Sequence, residues 1–182
     1  LLLFGLDPTA SQYSDERTRD LYREVLARLN NAPGVASATA MNNRLFAGSM
    51  SGGPLHVPGA TWLPERGIQA WMNGVGPRFF ETMGIRVILG RGPAERDTAG
   101  APRVAFLSQS MARKAFPDGA PLGKTVSLFF PKAQYVVAGV VADAHYDRVK
   151  GEAPLTAYVP YEQPPWGRLF SMDFAVRTRG NP

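Results

Sequence analysis

The 182-residue chain has no cysteine. Disulfides, thiolate nucleophiles and every cysteine-based metal site are therefore excluded. Histidine is nearly absent too. Only His56 and His145 could serve a Ser–His–Asp site, and no G-x-S-x-G elbow accompanies either. No apolar run approaches the ~20 residues that span a bilayer. Leu1–Leu6 lacks the basic flank and cleavage site of a signal peptide. The piece itself is expected to be soluble, and its ends, a non-methionine start and a stop at Asn181-Pro182, are expected to be cuts through a longer protein. There is no block of about five like charges, no internal repeat, and no basic run interleaved with aromatics as single-strand binding needs.

What is present is ordinary globular composition, 45% hydrophobic and 19% charged, enough for one sizeable domain or two small ones. The net charge of +5 allows contact with nucleic acid or anionic lipid, against a mildly basic surface of interspersed charges. The dispersal favours the mild surface, so no nucleic-acid partner is expected.

Periodicity outlines an α+β chain. Leu1–Leu6 reads as a strand, and Ser14 as the cap of a helix with Asp15 and Glu16 in its first turn. Leu21, Val25 and Leu29, widened by Tyr22 and Leu26, form its apolar stripe, and Pro33-Gly34 stops it. Val35–Met41 is a second strand. Phe46–Pro58, rich in Gly, Ser and Pro, is expected to be loop. Gln69–Val75 is expected as strand, Pro77–Met83 as a short helix and Ile85–Leu89 as strand. Val104–Leu107 is expected to feed a helix capped by Ser108 and broken at Pro117. Thr125–Phe130 and Tyr135–Val141 read as a hairpin, Ala157–Val159 and Met172–Thr178 as late strands, and Gln163–Gly167 as a linker.

The most distinctive stretch is Val75-Gly76-Pro77-Arg78-Phe79-Phe80-Glu81-Thr82-Met83-Gly84-Ile85, closed by Gly90-Arg91-Gly92. Pro77 suits a first helical position, Phe79, Phe80 and Met83 share a face, and Gly84 suits the left-handed residue that ends the turn. None of these does acid–base or nucleophilic chemistry, so this is a packing motif. Further segments follow in order: Ala101–Ala105, Met111–Arg113 to Phe116-Pro117, Pro121–Lys124, Val137–Asp143, Tyr158–Tyr161 and Val176–Thr178.

In this order the segments resemble the extracytoplasmic core domain of MacB/FtsX-type ABC transporter permeases, most of all the duplicated, ATPase-lacking permeases of Acidobacteria and their relatives. The resemblance implies an incomplete ferredoxin-like "porter" unit, residues 1–45 and 164–182, interrupted by a mixed, mostly β "sabre" subdomain, residues 46–163. In the family the porter continues with another helix and strand. The resemblance also implies flanking transmembrane helices of the same protein, a permease dimer in the inner membrane and a cytoplasmic ABC ATPase. A periplasmic adaptor or other envelope protein would be the outer partner. The domain would be extracytoplasmic and not an enzyme, and would need no cofactor and no metal. The helix after Ser14 would sit nearest the membrane, and the sabre would contact partners.

Other residues offer competing chemistry. Gly119-Ala120-Pro121-Leu122-Gly123-Lys124-Thr125 imitates a phosphate loop, but Asp118 stands where its first glycine belongs, and it follows a helix where a strand is needed. Gly74-Val75-Gly76 is half a dinucleotide fingerprint, and Pro77 removes a donor. Asp143, His145 and Asp147 would share one face of an extended strand and could hold Zn or Mn for a metal-assisted hydrolase; the alternative is a polar turn. Trp62, Trp71, Trp166 and Phe129-Phe130 could line the groove of a periplasmic ligand-binding module, against ordinary packing. Glu65, Glu81, Glu95, Asp97, Asp143 and Glu152 read as solvated surface charges.

Overall fold

The computed structural model describes residues 1–44, 51–129, 133–145, 151–169 and 171–180. The strands are β1 (Leu2–Leu6), β2 (Val35–Met41), β3 (Gly52–His56), β4 (Ile68–Val75), β5 (Val87–Gly90), β6 (Val104–Ser108), β7 (Thr125–Leu128), β8 (Gln134–Val141), β9 (Thr156–Pro160) and β10 (Met172–Thr178). The helices are α1 (Asp15–Asn30), α2 (Phe79–Met83) and α3 (Gln109–Ala115), with a short 3-10 turn at Thr9–Ser11.

Six strands close into a barrel. β4 pairs with β3, β3 with β7, β7 with β8, β8 with β6, β6 with β9, and β9 returns to β4. The β4–β9 and β6–β8 ladders are parallel; the rest are antiparallel. Period-two alternation turns Ile68, Ala70 and Met72 of β4, Ala105 and Leu107 of β6, and Tyr135 and Val137 of β8 into one apolar interior. Met111, Ala112, Ala115 and Phe116 join that interior, so α3 stops one end of the barrel.

Outside it, β5 adds to β8, while β10 lies between β1 and β2, antiparallel to both. With α1 connecting β1 to β2, this is the split β-α-β arrangement of a ferredoxin-like unit. Ser14 caps α1, its Oγ accepting from Arg17 N–H at 3.2 Å. The buried line of α1 is Thr18–Tyr22–Leu26, with Val25 and Leu29 on its flank, so the stripe is centred one residue away from the expected Leu21–Val25–Leu29 row. Tyr22 and Leu26 pack on Ala40, Met172 and Phe174 of the small sheet. A single residue pair, Met41 with Val75, carries the sheet from this unit into the barrel. The chain is thus α+β, a porter-type unit with an added, mostly β part.

Two expectations need correction. Residues 52–56, expected as loop, form β3. A Cβ on Gly52 would lie 3.1 Å from the Ala70 carbonyl, and one on Gly53 3.0 Å from the Phe129 ring. The glycines that suggested a loop are there because the strand is pressed from both sides. The second correction is that α2 starts at Phe79, not Pro77. Arg78, at φ 59°, occupies the left-handed region before the helix. Gly84, at φ 73°, ends it as expected. As expected, Gln163 lies in the linker between β9 and β10. It is buried, its Oε1 accepts from Val104 N–H at 3.1 Å and its Nε2 donates to the Thr98 carbonyl at 2.8 Å.

Candidate functional site

The distinctive motif sits where the two parts of the molecule meet. Phe80 is 2% exposed and makes edge-on contacts with Phe106 of β6 and Tyr158 of β9, with centroids 5.8 and 5.1 Å away. Phe79 lies against the same Tyr158 ring. Phe106 and Tyr158 are register partners on the outer face of the barrel, so α2 is seated on that face. The same cluster includes Met41 of β2 and Ala175 of β10. Arg177 of β10 adds a hydrogen bond from Nε to the Thr82 carbonyl at 2.8 Å. The helix is a wedge that touches barrel and porter-type unit at once.

Beside the wedge runs a groove of about 380 Å³. One wall is α1, with Leu26, Ala27, Asn30 and Asn31; the other is built by Pro77-Arg78, Pro93–Glu95 and Pro160–Glu162. Arg23, Glu162, Arg78 and Asp97 in its walls are matched within the protein. Arg23 Nε donates to Glu162 Oε1 at 2.8 Å, and a second guanidinium N–H donates to Oε2. This bond holds the Arg23 guanidinium above its ordinary pKa. Arg78 donates to both oxygens of Glu81, at 3.1 and 2.6 Å, which lowers the Glu81 pKa. Arg91 binds Asp97 two-pronged, at 2.6 Å on each side, and Asp97 also accepts from Ala94 N–H.

The structure separates the other expected sites. Both Asp143 oxygens are engaged by Ser110, from N–H at 2.9 Å and from Oγ at 2.7 Å, at the start of α3. Its role is to satisfy the helix N-terminus. His145 is exposed, and Asp147 lies outside the described residues. Among the described residues no three His, Asp or Glu side chains are grouped for a metal ion.

Each tryptophan has its own seat. Trp62 donates to the Ala115 carbonyl at 3.4 Å, Trp71 is an outward residue of β4, and Trp166 meets Phe129 edge-on with centroids 6.3 Å apart. Phe130 lies outside the described residues. The stretch imitating a phosphate loop is a turn between α3 and β7, with Gly119 and Gly123 both left-handed and Lys124 exposed.

Of the carboxylates read as solvated, Asp97 is a correction: it is buried against Arg91. Sequence reasoning also missed Glu162, 8% exposed, and its partner Arg23. They are 139 positions apart, and no local pattern links them. Among the described residues no helix is long and apolar enough to cross a membrane.

Comparison with known proteins agrees with the geometry. Residues 4–180 match the family described as the MacB-like periplasmic core domain. The macrolide export ATP-binding/permease protein MacB of Aggregatibacter actinomycetemcomitans is 34% identical over 90 residues, covering 50% of this chain and 14% of that protein. MacB of Neisseria gonorrhoeae is 33% identical over 107 residues, covering 59% and 14%. The chain thus matches only a small part of the length of these curated relatives.

Among solved structures, the periplasmic region of MacB from Actinobacillus actinomycetemcomitans superposes with a TM-score of 0.61 at 23% identity, over 98% of this chain and 75% of that one. The extracellular domain of the noncanonic ABC-type transporter YknZ from Gram-positive bacteria gives 0.60 at 21%, over 98% and 82%. These two show the shared fold. With the family match running through almost every element described above, the chain belongs to the family of MacB-like periplasmic core domains.

Proposed function

We propose that this domain is the extracytoplasmic part of an ABC-type permease and passes motion, driven by a cytoplasmic ATPase, to a substrate or partner outside the inner membrane. Its part is conformational coupling and not catalysis. The observation that carries the reading is the α2 wedge. The most distinctive motif of the chain is spent wholly on joining two bodies through Phe79, Phe80 and the Arg177–Thr82 bond. The metal-assisted hydrolase is not favoured, because Asp143 is already occupied by Ser110. The ligand-binding module is not favoured either, because its three tryptophans sit in separate seats.

Residues 1–45 and 164–182 form the porter-like part of this proposal, and residues 46–163 the sabre-like part. The grouping of β1, α1, β2 and β10 supports it. So does the outer edge of β1, where Leu2 is 54% exposed beside Leu1, Leu3 and Phe4. A following helix and strand would cover that edge. The remaining partners, namely transmembrane helices, a second permease copy, the ATPase and an outer envelope protein, come from the family and the MacB relatives. The finer placement among duplicated permeases without an attached ATPase rests on motif resemblance; the relatives named above are ATP-binding/permease proteins.

The test is the parent reading frame. Apolar segments of ~20 residues shortly before Leu1 and beyond Pro182 are expected. Polar flanks, or a cleavable signal directly before Leu1, would sink the permease reading.

A further inference from the structure

The groove between α1 and the barrel is bounded by two arginines that share one design. Arg23 reaches from α1 across to Glu162, just past β9, and also donates to Asp20 on its own helix at 3.0 Å. Glu162 in turn also accepts from the Ala99 N–H, on its own side, at 3.3 Å. Arg78 reaches the opposite way. It donates to Asn30 Oδ1 of α1 and to the Ala36 carbonyl, each at 3.0 Å, while Glu81 beside it holds the same guanidinium. Asn30 Oδ1 keeps a second donor too, Ala38 N–H at 2.9 Å.

Every cross-groove partner except the Ala36 carbonyl therefore has a replacement on its own body. Breaking a buried ion pair is ordinarily costly because one charge is left uncompensated. Here, separating the walls leaves Arg23 with Asp20, Glu162 with a backbone N–H, and Arg78 with Glu81. Among the described residues the sheet link between the bodies is the Met41–Val75 pair, extended by the bonds between Asn43 and Asn73, and it is far shorter than a full ladder.

We infer that the groove is an opening joint: beside the Tyr22–Tyr161 contact at its base it is held shut by two polar clasps, Arg23–Glu162 and Arg78–Asn30, whose groups are partnered in the open state as well as the closed one. The α2 wedge is the pivot, since it shares one apolar cluster with barrel residues and with Met41 and Ala175 of the other body. The purpose of the joint rests on the coupling reading, while its existence rests on geometry alone. A failure of one is therefore distinguishable from a failure of the other.

The chain has no cysteine, so nitroxide labels can be placed only where wanted, at R28C on α1 and R96C on the facing loop. Both positions are exposed. Double electron–electron resonance on this 182-residue chain is expected to give one short distance in the otherwise unchanged protein. R23A and R78A should each add a longer distance, and the double variant should make it the main one. R23K keeps the charge but loses the two-pronged bond; it should also show the longer distance, and it serves if R23A does not fold. An unchanged distribution in the folded double variant, or in R23K should R23A not fold, overturns the joint. The measurement involves no membrane or ATPase and leaves the coupling reading untouched.

Discussion

Three tyrosines carry a measurable consequence of burial. Tyr22 and Tyr135 are pushed up to about 12, chiefly by desolvation, and Tyr161 is raised further for the same reason. A phenol whose folded pKa exceeds its unfolded value near 10 favours the fold fully below that pH. Above it the unfolded chain loses protons that the folded chain retains, and stability falls. The melting temperature should therefore drop as pH rises from about 10 towards 12, with tyrosinate absorbance from these rings appearing only as the chain unfolds. Early, non-cooperative ionisation of all six tyrosines would show that the rings are not buried as described. Asp143 offers a second residue-scale test. D143A should cost about 1 kcal/mol by freeing the start of α3, and zinc should leave the melting temperature of both forms unchanged. Zinc stabilisation lost in D143A would revive the metal reading.

Elements with a local signature were legible in the chain, and those defined by distant neighbours were not. The Ser14 and Ser108 caps, the stops at Gly34 and Pro117, and the span of β10 follow from side chains within a turn of the boundary. β3 was hidden because its glycines answer to Phe129 and to the Ala70 backbone, both far away in sequence. Arg78 was misread for a related reason. Its left-handed backbone accompanies bonds to Asn30 and Ala36, more than forty positions upstream. At this scale α2 is the element to test. Phe80 fills the space between Phe106 and Tyr158, so F80A should cost about 3–5 kcal/mol. Because the wedge touches both bodies, the loss should appear in hydrogen exchange of β2 and β10 as well as in the barrel. Faster exchange confined to α2 would show that it joins nothing.

At the scale of the molecule, the α+β class and the opening strand–helix–strand were readable from order and periodicity, while its ferredoxin-like form was implied only by the family resemblance. Barrel closure was not. Closure depends on β9 pairing with β4 and on the parallel β6–β8 ladder, and neither register is written in a local pattern. The groove escaped for the same reason, since Arg23 and Glu162 meet only through the fold. The result is two bodies joined by one wedge, a short strand contact, the Tyr22–Tyr161 packing and two arginine clasps, an architecture suited to passing on displacement. The most direct test of that role uses the full-length permease reconstituted with its ATPase, spin-labelled at R28C in each copy. The distance between the two labels should change on addition of ATP and return after hydrolysis, and should remain at its ATP-bound value with an ATPase that binds ATP but cannot hydrolyse it. A distance indifferent to ATP in an actively hydrolysing preparation would contradict the account.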